Sequence, residues 1–282
     1  MIAALWSGQR TFVLDATSGG IEITFAGKAD GEAVSSSAWQ LRDVTVCRLR
    51  KVPDLRARAT GEGSCPDTLY EITTRDELTV EWPAGTRLVL EGGTARGLVI
   101  RVLGGGSESF PADTVFVVPV EEWVRRGPLV FAGTAIVGGA ANPNVNTLLL
   151  SGNWEARQSS LAAMPFRDTT DIVKSGRLTH GTRATLMNGK TPALVYGYIT
   201  PSRNDGILEI ALVSEPGDIA LSIAQYGTAR AVVLKPDLID MLLSNPVLVA
   251  LAIILALTEP TLSLLNLLGF KTSRTLKDKG HK

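Results

Sequence analysis

Apolar and polar side chains alternate with a period of two along residues 8–235, and this alternation limits what the body of the chain can fold into. Ile21, Ile23 and Phe25 alternate with polar neighbours, and the same rhythm recurs between short stretches rich in Gly, Pro, Asn and Asp. Successive side chains of a β-strand point to opposite faces of its sheet. We therefore predict about a dozen strands. Because no helix-length pattern separates them, we expect an antiparallel β-sandwich or barrel rather than a parallel α/β fold.

A glycine-rich segment, residues 104–113, interrupts the alternation near the middle of the body. It reads GGGSESFPAD, a composition typical of loops and linkers. We predict that this segment divides the body into two β subdomains, residues 8–105 and 110–235. Residues 1–7 form an apolar stub, which we interpret as the end of an N-terminal membrane segment.

Residues 246–270 differ most in composition from the rest of the chain, because Glu259 is their only charged residue. A helix of this length would measure about 37 Å, enough to cross a hydrocarbon core of about 30 Å with some tilt. We predict a C-terminal transmembrane helix over residues 246–270, preceded by a juxtamembrane helix over 236–245. The alternative is a buried helix of a globular protein, but residues 247–257 lack the polar face that such a helix usually has.

Small and polar residues form one stripe along this predicted helix. The stripe consists of Ala252, Ala256, Glu259, Ser263 and Asn266. Small residues let two helices approach closely, and polar residues hydrogen-bond across the contact. We therefore predict a helix–helix interface with an ionisable group, Glu259, near its centre. The alternative is that the span ends just before Glu259, which then lies among the lipid headgroups.

Charge is unevenly distributed on the two sides of the predicted span. Residues 271–282 carry five basic residues and one acidic residue, a charge of +4, and the other 23 basic and 27 acidic residues sum to −4. The positive-inside rule places this basic tail in the cytoplasm and the β body in the periplasm or another extracytoplasmic space. Residues 1–7 lack the features of a signal peptide. Two interpretations therefore stay open: an upstream membrane segment, or a tail anchor with a cytoplasmic body.

Cys47 and Cys65 are the only cysteines of the chain, and a loop that contains Pro and Gly separates them. A single pair at this spacing is typical of an extracytoplasmic disulfide. The alternative, which the sequence supports equally, is that the two cysteines are unpaired buried thiols.

Basic residues cluster in and beside this loop. They are Arg48, Arg50, Lys51, Arg56 and Arg58. Such a cluster is a candidate binding patch for an anionic partner, either lipid phosphates or an acidic protein. The alternative is an ordinary solvated strand face.

Composition excludes several classes of chemistry. Two histidines and two cysteines are too few for a zinc ribbon, an all-Cys iron–sulfur site or a multi-His metal cage. A formal charge of zero gives no basis for a nucleic-acid partner.

Residues 184–191 match a loose phosphate-loop pattern, but no helix pattern follows, so we interpret Asn188 and Gly189 as a hairpin turn. His180 is the only histidine of the body, and we predict no cofactor, no metal and no catalytic activity.

These observations favour a structural role over a catalytic one. We predict a membrane-anchored accessory or scaffold subunit of a membrane complex, which contacts other integral membrane subunits and the lipid bilayer and which could form a homo-oligomer. The alternative is an envelope protein whose β domain binds a lipid or a glycan while the helix serves as a tether. An anchored hydrolase is the third and least supported hypothesis.

Overall fold

The computed structural model describes most of the β body and a few residues of the C-terminal segment. The described residues are 10–26, 38–53, 65–94, 97–139, 148–159, 170–202, 207–225, 230–237, 240, 249–250, 253–258 and 260. The chain separates into two compact units, residues 1–236 and residues 237–282.

The first unit is built from strands, which confirms the prediction of a mainly β, antiparallel body. The described strands are β1 (Arg10–Ser18), β2 (Gly20–Phe25), β3 (Ala38–Leu49), β4 (Tyr70–Glu81), β5 (Arg87–Thr94), β6 (Gly97–Gly104), β7 (Val115–Val118), β8 (Leu129–Val137), β9 (Leu149–Ser159), β10 (Thr170–Leu178), β11 (Thr182–Asn188), β12 (Thr191–Pro192), β13 (Val195–Pro201), β14 (Leu208–Ser214), β15 (Ile219–Gln225) and β16 (Ala231–Leu234). A short helix, α1 (Val120–Arg126), lies between β7 and β8.

The strands form one hydrogen-bonded sheet in the order β10-β9-β1-β14-β13-β8-β2-β5-β6-β7-β3-β4. Strand β11 pairs with the end of β8 and with β15, and β12 and β16 extend this branch. Every described pairing is antiparallel.

The two predicted β subdomains, residues 8–105 and 110–235, interleave in this sheet. Strand β1 lies between β9 and β14, and β2 pairs with β8. Strands from the first half of the chain therefore complete their hydrogen bonding with strands from the second half. The glycine-rich segment between the halves connects β6 and β7, which pair with each other, so both halves belong to one compact unit.

Strand β8 joins the two parts of the sheet. Its first half pairs with β13, and its second half pairs with β2. Gly133 lies where the two pairings meet, and a Cβ atom there would collide with the carbonyl oxygen of Thr24. The close approach of the two backbones at this point requires glycine.

The inward side chains of the sheet form one main hydrophobic core. Phe12, Ile23, Phe116 and Phe131 are fully buried within it, and burying a side chain of this size stabilises the fold by about 1.5–3 kcal/mol. An aromatic cluster around Trp82 includes an edge-to-face contact with Phe116 at a ring-centre distance of 5.8 Å.

A second, smaller apolar cluster lies on the opposite face of β3, β6 and β7. Cys47, Val99 and Val115 are fully buried in it, and Tyr70 packs against them. The first half of β6, residues 97–100, is therefore buried on both faces, which explains the apolar run of residues 98–100.

Two local features differ from the sequence pattern. Gly92 and Gly93, which resemble a hairpin turn, lie inside β5, where the register shifts between Glu91 and Thr94. Asp43 has a φ of 45° within β3. The buried positions of β3 change phase at that residue, from Trp39 and Leu41 to Val44 and Val46, whereas the pairing register with β4 is the same on both sides of it.

The described part of the second unit is helical at its start and near its centre. The carboxylate of Asp240 accepts a hydrogen bond of 2.9 Å from the backbone N–H of Asp237, as in a helix capping box. Residues 253–258 are helical, and the isoleucine and leucine side chains among them are more than half exposed. Within the described residues, no helix has the length and apolar character needed to cross a membrane. Most of the predicted span 246–270, the tail 271–282 and the stub 1–7 lie outside those residues.

Candidate functional site

A row of outward-pointing side chains crosses six neighbouring strands of the sheet. Directly paired residues of antiparallel strands present their side chains on the same face, so the registers trace the row from one strand to the next. From β10 to β8 the row consists of Arg177, Asn153, Asp15, Ala211, Tyr198 and Val130. Because paired strands lie about 4.8 Å apart, the row is roughly 24 Å long.

Two parallel rows flank this central row on the same face. One contains Glu155, Val13, Val213 and Tyr196, and the other contains Ser151, Thr17, Glu209 and Thr200. We call the three rows together the tyrosine face. It is built from strands that are distant in sequence, because β10, β9, β1, β14 and β13 become neighbours only in the folded sheet.

One half of the tyrosine face is apolar and aromatic. Tyr196 and Tyr198 are 43% and 49% exposed, and their neighbours Val213 and Val130 are 42% and 48% exposed. Val213 pairs with Tyr196, and Val130 pairs with Tyr198. Single exposed apolar residues need no explanation, but a contiguous group on three adjacent strands indicates a binding surface.

The other half of the tyrosine face is polar and slightly concave. A depression of about 550 Å³ lies over it and reaches Tyr198. Its polar lining consists of Asp15, Thr17, Ser151, Asn153, Arg177, Thr200 and Glu209. These groups supply hydroxyl, amide, carboxylate and guanidinium functions side by side, so the depression can both donate and accept hydrogen bonds.

The charges of the polar half are mixed in sign. Asp15 and Glu209 are acidic and Arg177 is basic, and all three are exposed. At the border of the face, the carboxylate of Glu155 accepts a hydrogen bond of 2.7 Å from the guanidinium of Arg157. The surface therefore lacks the concentrated positive charge that a polyanion requires.

The core fixes the position of the two tyrosines. Gly197 lies between them and faces inward, where a Cβ atom would stand 2.5 Å from Leu212 and 2.8 Å from Phe131. The hydroxyl of Tyr196 donates a hydrogen bond of 2.9 Å to the carboxylate of Glu215. Because packed strands change shape little, the aromatic half is held ready for a ligand before binding.

The structure joins Cys47 and Cys65 in a disulfide, with a Cα–Cα distance of 6.1 Å. The bridge joins Cys47 of β3 to Cys65 in the loop before β4, and both residues belong to the small apolar cluster on the outer face of β3. Neither residue takes part in the tyrosine face.

Two of the three described members of the predicted basic patch make contacts within the fold. The guanidinium of Arg48 lies 5.7 Å from the ring centre of Phe110, and Nε of Arg50 donates a hydrogen bond of 3.1 Å to the carbonyl oxygen of Tyr70. Lys51 is exposed. The remaining two members, Arg56 and Arg58, lie outside the described residues.

Of the predicted helix–helix stripe, the structure describes only Ala256, which is helical and exposed. The other four members are Ala252, Glu259, Ser263 and Asn266, and they lie outside the described residues. The stripe therefore stays a prediction.

The phosphate-loop pattern folds as a hairpin. Asn188 pairs with Thr191, and Gly189 has a φ of 61°, a conformation that glycine adopts without strain. Among the described residues, no group of three or more His, Cys, Asp or Glu side chains is arranged to hold a metal ion.

Sequence reasoning missed the tyrosine face. Its only local signals were polar residues alternating with apolar ones and the Tyr-Gly-Tyr sequence of residues 196–198. No protein-family model, no curated protein and no solved structure matches this chain.

Proposed function

We propose that this protein is a membrane-tethered binding module whose tyrosine face binds a glycan. The observation that carries the proposal is the juxtaposition, on one exposed sheet face, of two tyrosine rings with a shallow row of mixed polar groups. A sugar has apolar C–H faces, which pack against aromatic rings, and closely spaced hydroxyl groups, which both donate and accept hydrogen bonds. The face offers partners for both.

The chemistry of the face favours a glycan over a lipid. The depression is shallow and open and its lining mixes polar with apolar groups, whereas a fatty acyl chain requires an enclosed apolar cavity to remove it from water. Its charged lining residues, Asp15, Glu209 and Arg177, do not form the basic cluster that lipid phosphates prefer. The roughly 24 Å row of side chains suits an extended chain of several sugar units.

The open shape of the face supports binding rather than catalysis. Asp15 and Glu209 project from adjacent strands, but both are exposed. A carboxylic acid that protonates a glycosidic bond usually lies in a water-poor environment that keeps it protonated. We therefore propose recognition without hydrolysis.

The test is a binding screen of the full-length protein in detergent against a panel of neutral oligosaccharides. Tyr198→Phe should keep the affinity within about twofold, because the ring remains, and Tyr198→Ala should weaken binding about tenfold, a loss of about 1.4 kcal/mol. Val233→Ala is the matched control, because Val233 is an exposed apolar residue of β16, outside the tyrosine face. If the wild type binds no oligosaccharide, or if Tyr198→Ala binds normally, the proposal is wrong.

A second candidate function is that of an accessory subunit in a membrane complex. The side chains of Ile253, Ile254, Leu255 and Leu257 are more than half exposed, and a helix that is apolar on all sides is stable only in an apolar environment. In this proposal residues 246–270 cross the bilayer and the stripe centred on Glu259 contacts another integral membrane subunit. The disulfide supports an extracytoplasmic body, since such bonds rarely persist in the cytosol.

Mutation of the stripe separates the two candidates. Glu259→Leu should release the protein from co-purifying membrane subunits and leave oligosaccharide binding unchanged. Leu257→Val, a change of one apolar residue outside the stripe, is the control. If the Glu259→Leu protein still co-purifies with the same subunits, the subunit proposal is wrong, and the glycan-binding proposal is unaffected.

A further inference from the structure

Strand β4 is the last strand of the sheet and is unusually exposed. Residues 71–77 are exposed at every position, so both faces of this part of the strand are solvated. Within the described part of the chain, β4 hydrogen-bonds only to β3. A long edge strand of this kind can accept another strand.

The backbone geometry identifies the groups that point to the open edge. The N–H of Arg50 donates a hydrogen bond of 2.8 Å to the carbonyl oxygen of Leu69, which continues the β3–β4 ladder. Hydrogen-bonding groups alternate between the two sides of a strand, so the odd-numbered residues of the segment 69–75 face β3. The backbone groups of Ile72 and Thr74 then face the open edge.

We propose that β4 pairs with β4 of a second copy of this chain, antiparallel and around a twofold axis at Thr73. In this register Glu71 lies opposite Arg75 of the second copy, and Arg75 lies opposite Glu71. Thr73 lies opposite Thr73 of the second copy. Opposite-charge pairs and Thr–Thr pairs both stabilise neighbouring strands. Ile72 and Thr74 form the hydrogen-bonded pairs on either side of the axis, about four backbone bonds in total.

Charge selects this register over two others. A twofold axis at Thr74 would place Glu71 opposite Glu77, and an axis at Asp76 would place Asp76 opposite itself, and like charges directly opposite destabilise a pair. Charges on an edge strand commonly prevent association. Here, an axis at Thr73 places each Glu71 opposite Arg75 of the other copy, so the charges attract. An axis at Thr74 places two glutamates opposite each other, so the charges repel.

The test is disulfide cross-linking of the full-length protein in detergent. Thr73→Cys should give a covalent dimer on mild oxidation, because non-hydrogen-bonded pairs bring two Cα atoms to about 4.5 Å, within the range of a disulfide. Thr79→Cys is the control: it lies on the same strand but far from the axis. We expect at least tenfold faster cross-linking for Thr73→Cys.

A charge exchange tests the register itself. Arg75→Glu added to Thr73→Cys should slow cross-linking at least tenfold, because Glu71 would then face a glutamate. Adding Glu71→Arg as well should restore it. Equal cross-linking rates for Thr73→Cys and Thr79→Cys, or a rate that ignores the charge exchange, would overturn the proposal.

Discussion

At the scale of single residues, the alternation of buried and exposed positions decides which side chains can act on a ligand. Leu208, Ile210 and Leu212 of β14 are buried, whereas Glu209 and Ala211 point outward, as the period of two in a β-strand requires. Each outward residue can change with little effect on the core, whereas each inward residue fixes the backbone that presents its neighbours.

Gly197 is the inward residue on which the aromatic half depends most directly. Gly197→Ala should destabilise the fold by about 1–3 kcal/mol, because the added methyl group overlaps Leu212 and Phe131. Relieving this overlap requires a shift of β13, so the affinity for the oligosaccharide should fall although both tyrosines remain. Gly104→Ala is the control, since a Cβ atom at Gly104 meets no atom within 4 Å. Thermal unfolding and binding of both variants test this prediction.

Glu91 should make stability depend on pH. Burial raises the pKa of its carboxyl group, and Arg101 partly opposes this effect. A raised pKa means that the folded state binds the proton more tightly than the unfolded state. The contribution to stability is therefore complete below the unfolded pKa, about 4.3, and is lost as the pH rises through the folded pKa.

Glu91→Gln removes this loss because the amide stays neutral. Its Tm should exceed that of the wild type at pH 7.5, and the difference should disappear near pH 4. Glu108→Gln, at an exposed position, should change Tm little at either pH. A Glu91→Gln protein that follows the wild-type Tm at every pH would contradict the expectation.

At the scale of elements, local sequence patterns predicted where the strands lie but not which strands pair with each other. The alternation around residues 21–25 and the apolar runs near 129–137 and 219–225 correspond to β2, β8 and β15. The tyrosine face depends instead on β1 lying between β9 and β14, and those pairings join residues that are far apart in sequence. The period of a strand shows which side chains share a face, but it carries no information about which strand lies beside it.

The disulfide should stabilise β4 more than it stabilises the tyrosine face. Removing it with Cys47→Ala and Cys65→Ala should destabilise the protein by about 3 kcal/mol, given the 18-residue separation. Hydrogen exchange should increase most in β4 and in the small cluster around Val99. Reduction of the wild type should have the same effect, and oligosaccharide binding should persist below Tm. Uniformly faster exchange across the sheet would contradict this local role.

At the scale of the whole molecule, the proposals combine into one arrangement. In the proposed arrangement, a C-terminal helix would keep the protein at the membrane, β4 would pair two copies, and each copy would present one tyrosine face. Two linked faces that reach the same polysaccharide would bind it far more tightly than one face alone. A shallow surface with modest affinity can therefore serve as a firm attachment when two copies act together.

The measurement that tests the central claim most directly is hydroxyl-radical footprinting of the full-length protein with and without a bound oligosaccharide, read out by mass spectrometry. We predict that the ligand protects Tyr196 and Tyr198 from oxidation and leaves the exposed Val233 of β16 unchanged. Equal oxidation of both tyrosines in the free and saturated protein, or protection confined to another surface, would contradict the claim that the tyrosine face is the binding site.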